Sequence, residues 1–141
     1  MQILPFQPSN EAAVVSLWQA CDLTRPWNDP HKDIARKLTV QPELFVVGMQ
    51  ENQLIASAMF GYEGHRGWVN YLAVHPAHQR KGHARTLMHW GEEALKARGC
   101  PKINLQVRSS NAAVIAFYQS LGYGIDEVTS LGKRLIPDSA P

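Results

Sequence analysis

The stretch HPAHQRKGHARTLM, residues 75–88, gathers three histidines, the cations Arg80, Lys81 and Arg85, and a lone glycine, Gly82, where an apolar run gives way to a helical pattern. The first turn of a helix carries amide hydrogens with no intrahelical partner, and the helix dipole adds about half a positive charge there. Such an end attracts anions. Gly82 suits a tight turn and the small Ala84 the first helical turn, so consecutive amides from Gln79 through His83 to Arg85 can approach a phosphate. The same residues also read as a solvated basic turn with a glycine for geometry. Neither Gly-Lys-Ser/Thr nor G-x-G-x-x-G is present, which separates the stretch from both common phosphate loops. His75, His78, His83 and His89 form no metal motif such as H-E-x-x-H, so no metal is expected.

The elements that must position this junction follow from periodicity. QILPF reads as a first strand, and residues 11–21 as a helix with Val14, Leu17, Trp18 and Cys21 on one face. Pro26 and Pro30 break the chain before a short second helix in HKDIARKL. From Leu44 the period changes to that of strands. LFVVGMQ and LIASAMFGY read as a hairpin turning at Glu51 and Asn52, and GWVNYLAV as a third strand of an antiparallel meander. Ala84, Leu87, Met88, Gly91, Ala94 and Leu95 then mark a long amphipathic helix stopped by Gly99 and Pro101. KINLQV follows as a strand, NAAVIAFYQSLG as a helix capped by Asn111, and GIDEVTSLGKRLI as a last strand or hairpin. The expected fold is mixed α/β in the order β-α-α-β-β-β-α-β-α-β, with the strands flanking the long helix parallel through a right-handed crossover.

At 141 residues the chain is the size of one domain, read here as residues 1–136 with PDSAP as an unstructured tail, 137–141. A net charge of +2, with 18% charged residues, points to neither nucleic acid nor a membrane surface. No aromatic residues interleave with the charges of HQRKGHAR, as a single-strand binder would require. Cys21 and Cys100 have no C-x-x-C spacing and are expected as reduced thiols. The N-terminus lacks the pattern of a signal peptide, and no apolar run is long enough to span a bilayer. A soluble cytoplasmic protein is the expectation.

LAVHPAHQRKGHARTLMHW resembles motif A of the GNAT superfamily of N-acetyltransferases, Gln/Arg-x-x-Gly-x-Gly/Ala after a strand reading L-x-V-x-P. Gln79, Gly82 and Ala84 stand at the patterned positions. NAAVIAFYQSLGY resembles the family's motif B, an asparagine opening a helix with Phe-Tyr in mid-helix and Leu-Gly-Tyr/Phe after it. The element order is similar to the family's from end to end, implying a GNAT-like, mostly antiparallel central sheet with flanking helices.

The resemblance implies acetyl-CoA as acetyl donor and a primary amine as acceptor, on a small molecule or a protein. It implies pyrophosphate held by amides of residues 80–85, a pantetheine arm along Leu72, Ala73 and Val74, and contacts from Asn111 and Phe117. An amide near Val74 would polarise the thioester carbonyl, where a donor aimed at developing charge is most effective. Tyr118 corresponds to the family tyrosine that protonates the departing thiolate; by spacing alone, beside Val114, Ile115 and Leu121, it reads as a core residue. Glutamate or histidine often serves as base at positions that here are Trp68 and Asn70, neither of which takes up a proton at neutral pH. Glu63 and His65 in the preceding turn are the nearby candidates, working through water, while Asn70 is left to orient the amine. An acceptor amine of lowered pKa needing no base is the remaining option.

In the family the loop between the first two helices and the last β-hairpin border the acceptor. Here the loop offers Trp27 as an aromatic wall with Asp22, Arg25, Asn28 and Asp29. The empty base positions also admit a non-catalytic acyl-CoA-binding sensor. An exposed final strand is an edge through which two copies would pair as a homodimer.

Overall fold

Five strands form one sheet in the order β1-β2-β3-β4-β5: β1 (Gln2–Pro5), β2 (Phe45–Gln50), β3 (Gln53–Tyr62), β4 (Gly67–Val74) and β5 (Ile103–Asn104). The computed structural model describes residues 1–139. Neighbouring strands are antiparallel except β4 and β5, which run parallel on either side of the crossover helix α3 (His83–Ala97). Glu51 and Asn52 both take positive φ (51° and 63°), as a two-residue hairpin turn between β2 and β3 requires.

Both faces of the sheet are covered, so successive strand residues enter different cores. Val46 and Phe60 face α3, where they meet Leu87, Met88 and Leu95. Phe45 and Val47 face the other way, onto α1 (Glu11–Ala20) and α2 (Pro30–Lys37), and pack with Val14, Leu17, Trp18 and Ile34. The last helix, α4 (Ala112–Ser120), begins at Asn111, whose side chain accepts the Val114 amide at 3.3 Å.

Two irregularities in the sheet matter for the site. Ser57 pairs with Ala73 and Met59 with Asn70, so Ala58 alone opposes Tyr71 and Leu72 in a β-bulge, with Tyr71 at φ +52°. Strand β5 pairs with β4 only through Gly67 with Ile103 and Trp68 with Asn104. Beyond Trp68 the two segments part, and the sheet is split along the remainder of β4.

Three expectations are corrected. The strand read over residues 102–107 is only two residues long, because the chain leaves β4 at Leu105. The last strand or hairpin is not formed among the described residues; Ile125, Val128, Leu131, Leu135 and Ile136 lie exposed in an irregular segment, so no final strand presents an edge to a second copy. The tail is not loose at Asp138, which is 5% exposed. Its carboxylate accepts from the Asp29 amide (2.8 Å) and from Arg36 (2.5 Å), and Lys32 donates to its carbonyl. These bonds draw the segment over α2. Ala140 and Pro141 of the expected tail lie outside the described residues.

Candidate active site

At one end of the split, β4 runs through a short 3-10 turn (Pro76–His78) into the loop that opens α3. Arg80 (φ +63°) and Gly82 (φ +83°) both adopt left-handed backbone, and Gly82 is the residue from which α3 starts. Alternation of this kind turns successive N–H groups toward a common concavity. Thr86 donates its amide to the Gly82 carbonyl at 3.1 Å, closing the first helical turn and leaving the amides of His83, Ala84 and Arg85 without intrahelical partners. Nothing lies within 4 Å of where a Gly82 Cβ would stand. The glycine is therefore favoured by its φ rather than by crowding.

The electrostatics of this end favour an anion. No acidic residue occupies the first turn of α3, and Arg80, Lys81 and Arg85 are exposed with no ion-pair partner among the described residues. Gln79 fixes the loop to the strand by donating its side-chain amide to the Val74 carbonyl at 3.0 Å, which also accepts from the Cys21 thiol at 3.3 Å. His75 closes the 3-10 turn by accepting the Ala77 amide at 3.1 Å. His83 Nε2 and His78 Nδ1 are buried without a partner among the described residues, and burial lowers the His83 pKa, disfavouring the charged ring beside the cradle. No group of three or more metal-ligating side chains exists among the described residues.

The split leads into a cleft of about 870 Å³ that brings Asn70, Leu72, Asn111 and Tyr118 together with Leu105, Val107 and Arg108. Its far wall is the loop between α1 and α2, where Asp22, Arg25, Trp27 and Asn28 line it. Tyr118 is 9% exposed and packs edge-on against Phe117 and Tyr123, with ring centroids 5.1 and 5.7 Å away. Burial alone pushes its pKa up to about 12, so the phenol keeps its proton throughout the neutral range.

Other residues singled out from sequence stand elsewhere. Glu63 and His65 are not in the cleft: the Glu63 carboxylate accepts the turn amides of His65 (2.6 Å) and Arg66 at the opposite end of β4. Those bonds hold its pKa below the usual glutamate value, which weakens it as a base. Asp29 is the N-cap of α2, accepting the His31 amide at 2.9 Å. Sequence reasoning missed Asp33 and Tyr71, which also line the cleft. A tyrosine in a strand pattern carries no mark of a bulge, and Asp33 reads as an ordinary first-turn acid of α2.

The sheet is thus split on one side, with a basic helix N-terminus at one end of the split and a tyrosine-bearing cleft at the other. The Acetyltransferase (GNAT) family model matches residues 12–123. The chain belongs to that family and is an acetyltransferase. It is 49% identical over 138 residues to Acetyltransferase YE1169 of Yersinia enterocolitica, covering 98% of each chain. Among solved structures it is similar to Ard1 from Thermoplasma volcanium, with a TM-score of 0.80 and 21% identity over 89% of this chain and 83% of that one. It is also similar to the ribosomal-protein-S18-alanine N-acetyltransferase from Escherichia coli, with a TM-score of 0.71 and 28% identity over 86% and 76% of the two chains.

Proposed function

We propose that the chain moves the acetyl group of acetyl-CoA directly onto a primary amine, with residues 79–85 as pyrophosphate cradle and Tyr118 as proton donor to the departing sulfur. The observation that carries this reading is the continuity of the split along β4 from the open N-terminus of α3 to the cleft holding Tyr118. When bound, acetyl-CoA supplies an activated acetyl thioester.

The chain's residues divide the remaining work. Amides of Arg80, Lys81, Gly82, His83, Ala84 and Arg85 hold the diphosphate, with their three cations as a supporting field. The pantetheine arm runs along the unpaired side of Leu72, Ala73 and Val74, where the Val74 carbonyl is taken by Gln79 and Cys21, and a donor near Val74 stabilises charge developing on the carbonyl oxygen. Phe117 packs against Tyr118, which gives its phenolic proton to the sulfur as the carbon–sulfur bond breaks and regains one from solvent, to which the attacking amine releases its own. Asn111 caps α4 with its side chain and faces the arm from there. Asn70 orients the amine, and Glu63 acts at most at a distance through water.

The acceptor is an amine of a small molecule or of a protein; the name of the Escherichia coli neighbour, an alanine N-acetyltransferase of a ribosomal protein, supports the second. The test is release of free thiol from acetyl-CoA across a panel of amino acids, polyamines and N-terminal peptides, beside a direct acetyl-CoA titration. Turnover with one class of amine is expected. Tight binding with no turnover across the panel would mark the chain as an acyl-CoA sensor instead.

A further inference from the structure

Tyr71 is an unusual residue to find at φ +52°: it is the only aromatic with positive φ among the described residues, and bulky side chains avoid that region. Several contacts hold it there. Its ring stacks on Trp18 with centroids 3.8 Å apart and planes 11° from parallel. Trp18 Nε1 donates to Ser57 Oγ at 2.9 Å, and Ser57 Oγ donates to the Tyr71 carbonyl at 3.0 Å. A bulge re-aims the side chain it carries, and strained backbone held by its surroundings points to a function for the residue so aimed.

What the bulge aims is the phenol, which donates to Asp33 Oδ2 at 2.6 Å. Burial and the neighbouring carboxylate push the Tyr71 pKa upward, so Tyr71 remains a donor and does not serve as a base. Asp33 is one-quarter exposed and lines the cleft beside Asn70, Leu72 and Tyr118. Its Oδ1 accepts only a long bond from Arg36, at 3.3 Å, and Arg36 is drawn away by Asp138 at 2.5 Å. A carboxylate accepts about four hydrogen bonds, and two are accounted for.

The other charges on the cleft are less suited to an incoming amine. Asp22, the second carboxylate, is 96% exposed and sits near Arg25. Lys37 donates to the Phe60 carbonyl, and Arg108 stands on the β5 side beside Asn111.

We infer that Asp33 docks the acceptor as a primary ammonium, which makes the substrate a cationic amine that sheds one proton to solvent before its lone pair attacks, and that Tyr71 is the positioning residue that fixes the carboxylate. This rests on the acetyl-transfer reading and names the substrate chemistry and receiving residue of the same cleft.

The test uses n-butylammonium and its neutral counterpart 1-butanol, titrated by NMR into full-length protein with and without saturating coenzyme A. Wild type is expected to bind the cation about tenfold more tightly than the alcohol, the scale of a charge-assisted hydrogen bond. Asp33→Asn should bring that ratio close to one while coenzyme A affinity is retained. Tyr71→Phe, which keeps the stacked ring, should lower the ratio part-way and serves if Asp33→Asn fails to fold. A purely structural link between α2 and β4 would shift the melting temperature and leave the ratio alone. Equal binding of both probes to wild type, a cation preference that survives Asp33→Asn, or one left undiminished by Tyr71→Phe, overturns the inference. Failure of coenzyme A to bind counts against the acetyl-transfer reading alone, because the amine titration is also read without it.

Discussion

Gly91 of α3 lies directly against the ring of Phe60 in β3. A Cβ at position 91 would overlap Cε1 and Cζ of that ring and come within 2.6 Å of Cδ1. This contact sets how closely α3 seats on the sheet, and so how its N-terminus stands beside the end of β4. Gly91→Ala gains about 1 kcal/mol of helix propensity but must displace a fully buried ring, at a cost of about 1–3 kcal/mol. A melting temperature lower by a few degrees and weaker acetyl-CoA binding are expected, checked by calorimetry and titration.

Gln79 ties the cradle to the strand end through one bond to the Val74 carbonyl. Removing a single partly buried hydrogen bond costs about 0.5–1.5 kcal/mol. Gln79→Ala should therefore weaken acetyl-CoA binding about two- to tenfold, with little change in thermal stability, since the loop rather than the core is loosened. Isothermal titration against wild type checks it.

Tyr118→Phe keeps the edge-on packing with Phe117 and Tyr123 and removes only the hydroxyl. An acid positioned at a leaving group contributes about 100-fold or more, so kcat with a turned-over amine should fall by that order while acetyl-CoA affinity holds. The phenol titrates near 12 when folded, above its ordinary 10. Between these values the native state keeps a proton that the unfolded state releases, so stability falls as pH rises through this window. Alkaline unfolding curves should show that slope in wild type and a shallower one in Tyr118→Phe.

Asp138 reports on the C-terminal segment. Hydrogen bonds from Arg36 and the Asp29 amide hold its pKa down to about 2, below the ordinary 3.8. Its contribution to stability is therefore present above about pH 4 and disappears as pH falls through the folded value. Asp138→Asn should mimic the acid state at neutral pH, seen as faster proteolytic cleavage between residues 131 and 138 with the core intact.

Much of the fold is legible from periodicity, because α1, α3 and the β2-β3 hairpin each bury a face whose spacing the sequence displays. The cap at Asn111 and the turn at Glu51 and Asn52 are equally local. What is not legible depends on partners distant in sequence. Gly91 looks like one more small residue on an apolar stripe until Phe60 is placed against it. The segment after Tyr123 alternates like a strand yet finds no backbone partner among the described residues, and the length of β5 is decided by where it leaves β4.

The site divides in the same way. The cradle is a local motif, so its residues are evident from spacing, although the positive φ of Arg80 is not. Glu63 and His65 are close to β4 in sequence but belong to the wrong end of it. Asp33 is 38 residues from Tyr71, and only the bulge brings the two together.

The most direct test of the central claim is acetyl-CoA binding by Gly82→Asp. Aspartate tolerates the left-handed backbone of position 82 better than most side chains, so a loss of binding would report its charge and bulk at the open helix N-terminus. With the fold confirmed by circular dichroism, affinity is expected to fall more than about tenfold, the scale of losing one charge-assisted contact. Undiminished affinity would contradict the assignment of residues 79–85 as the pyrophosphate cradle.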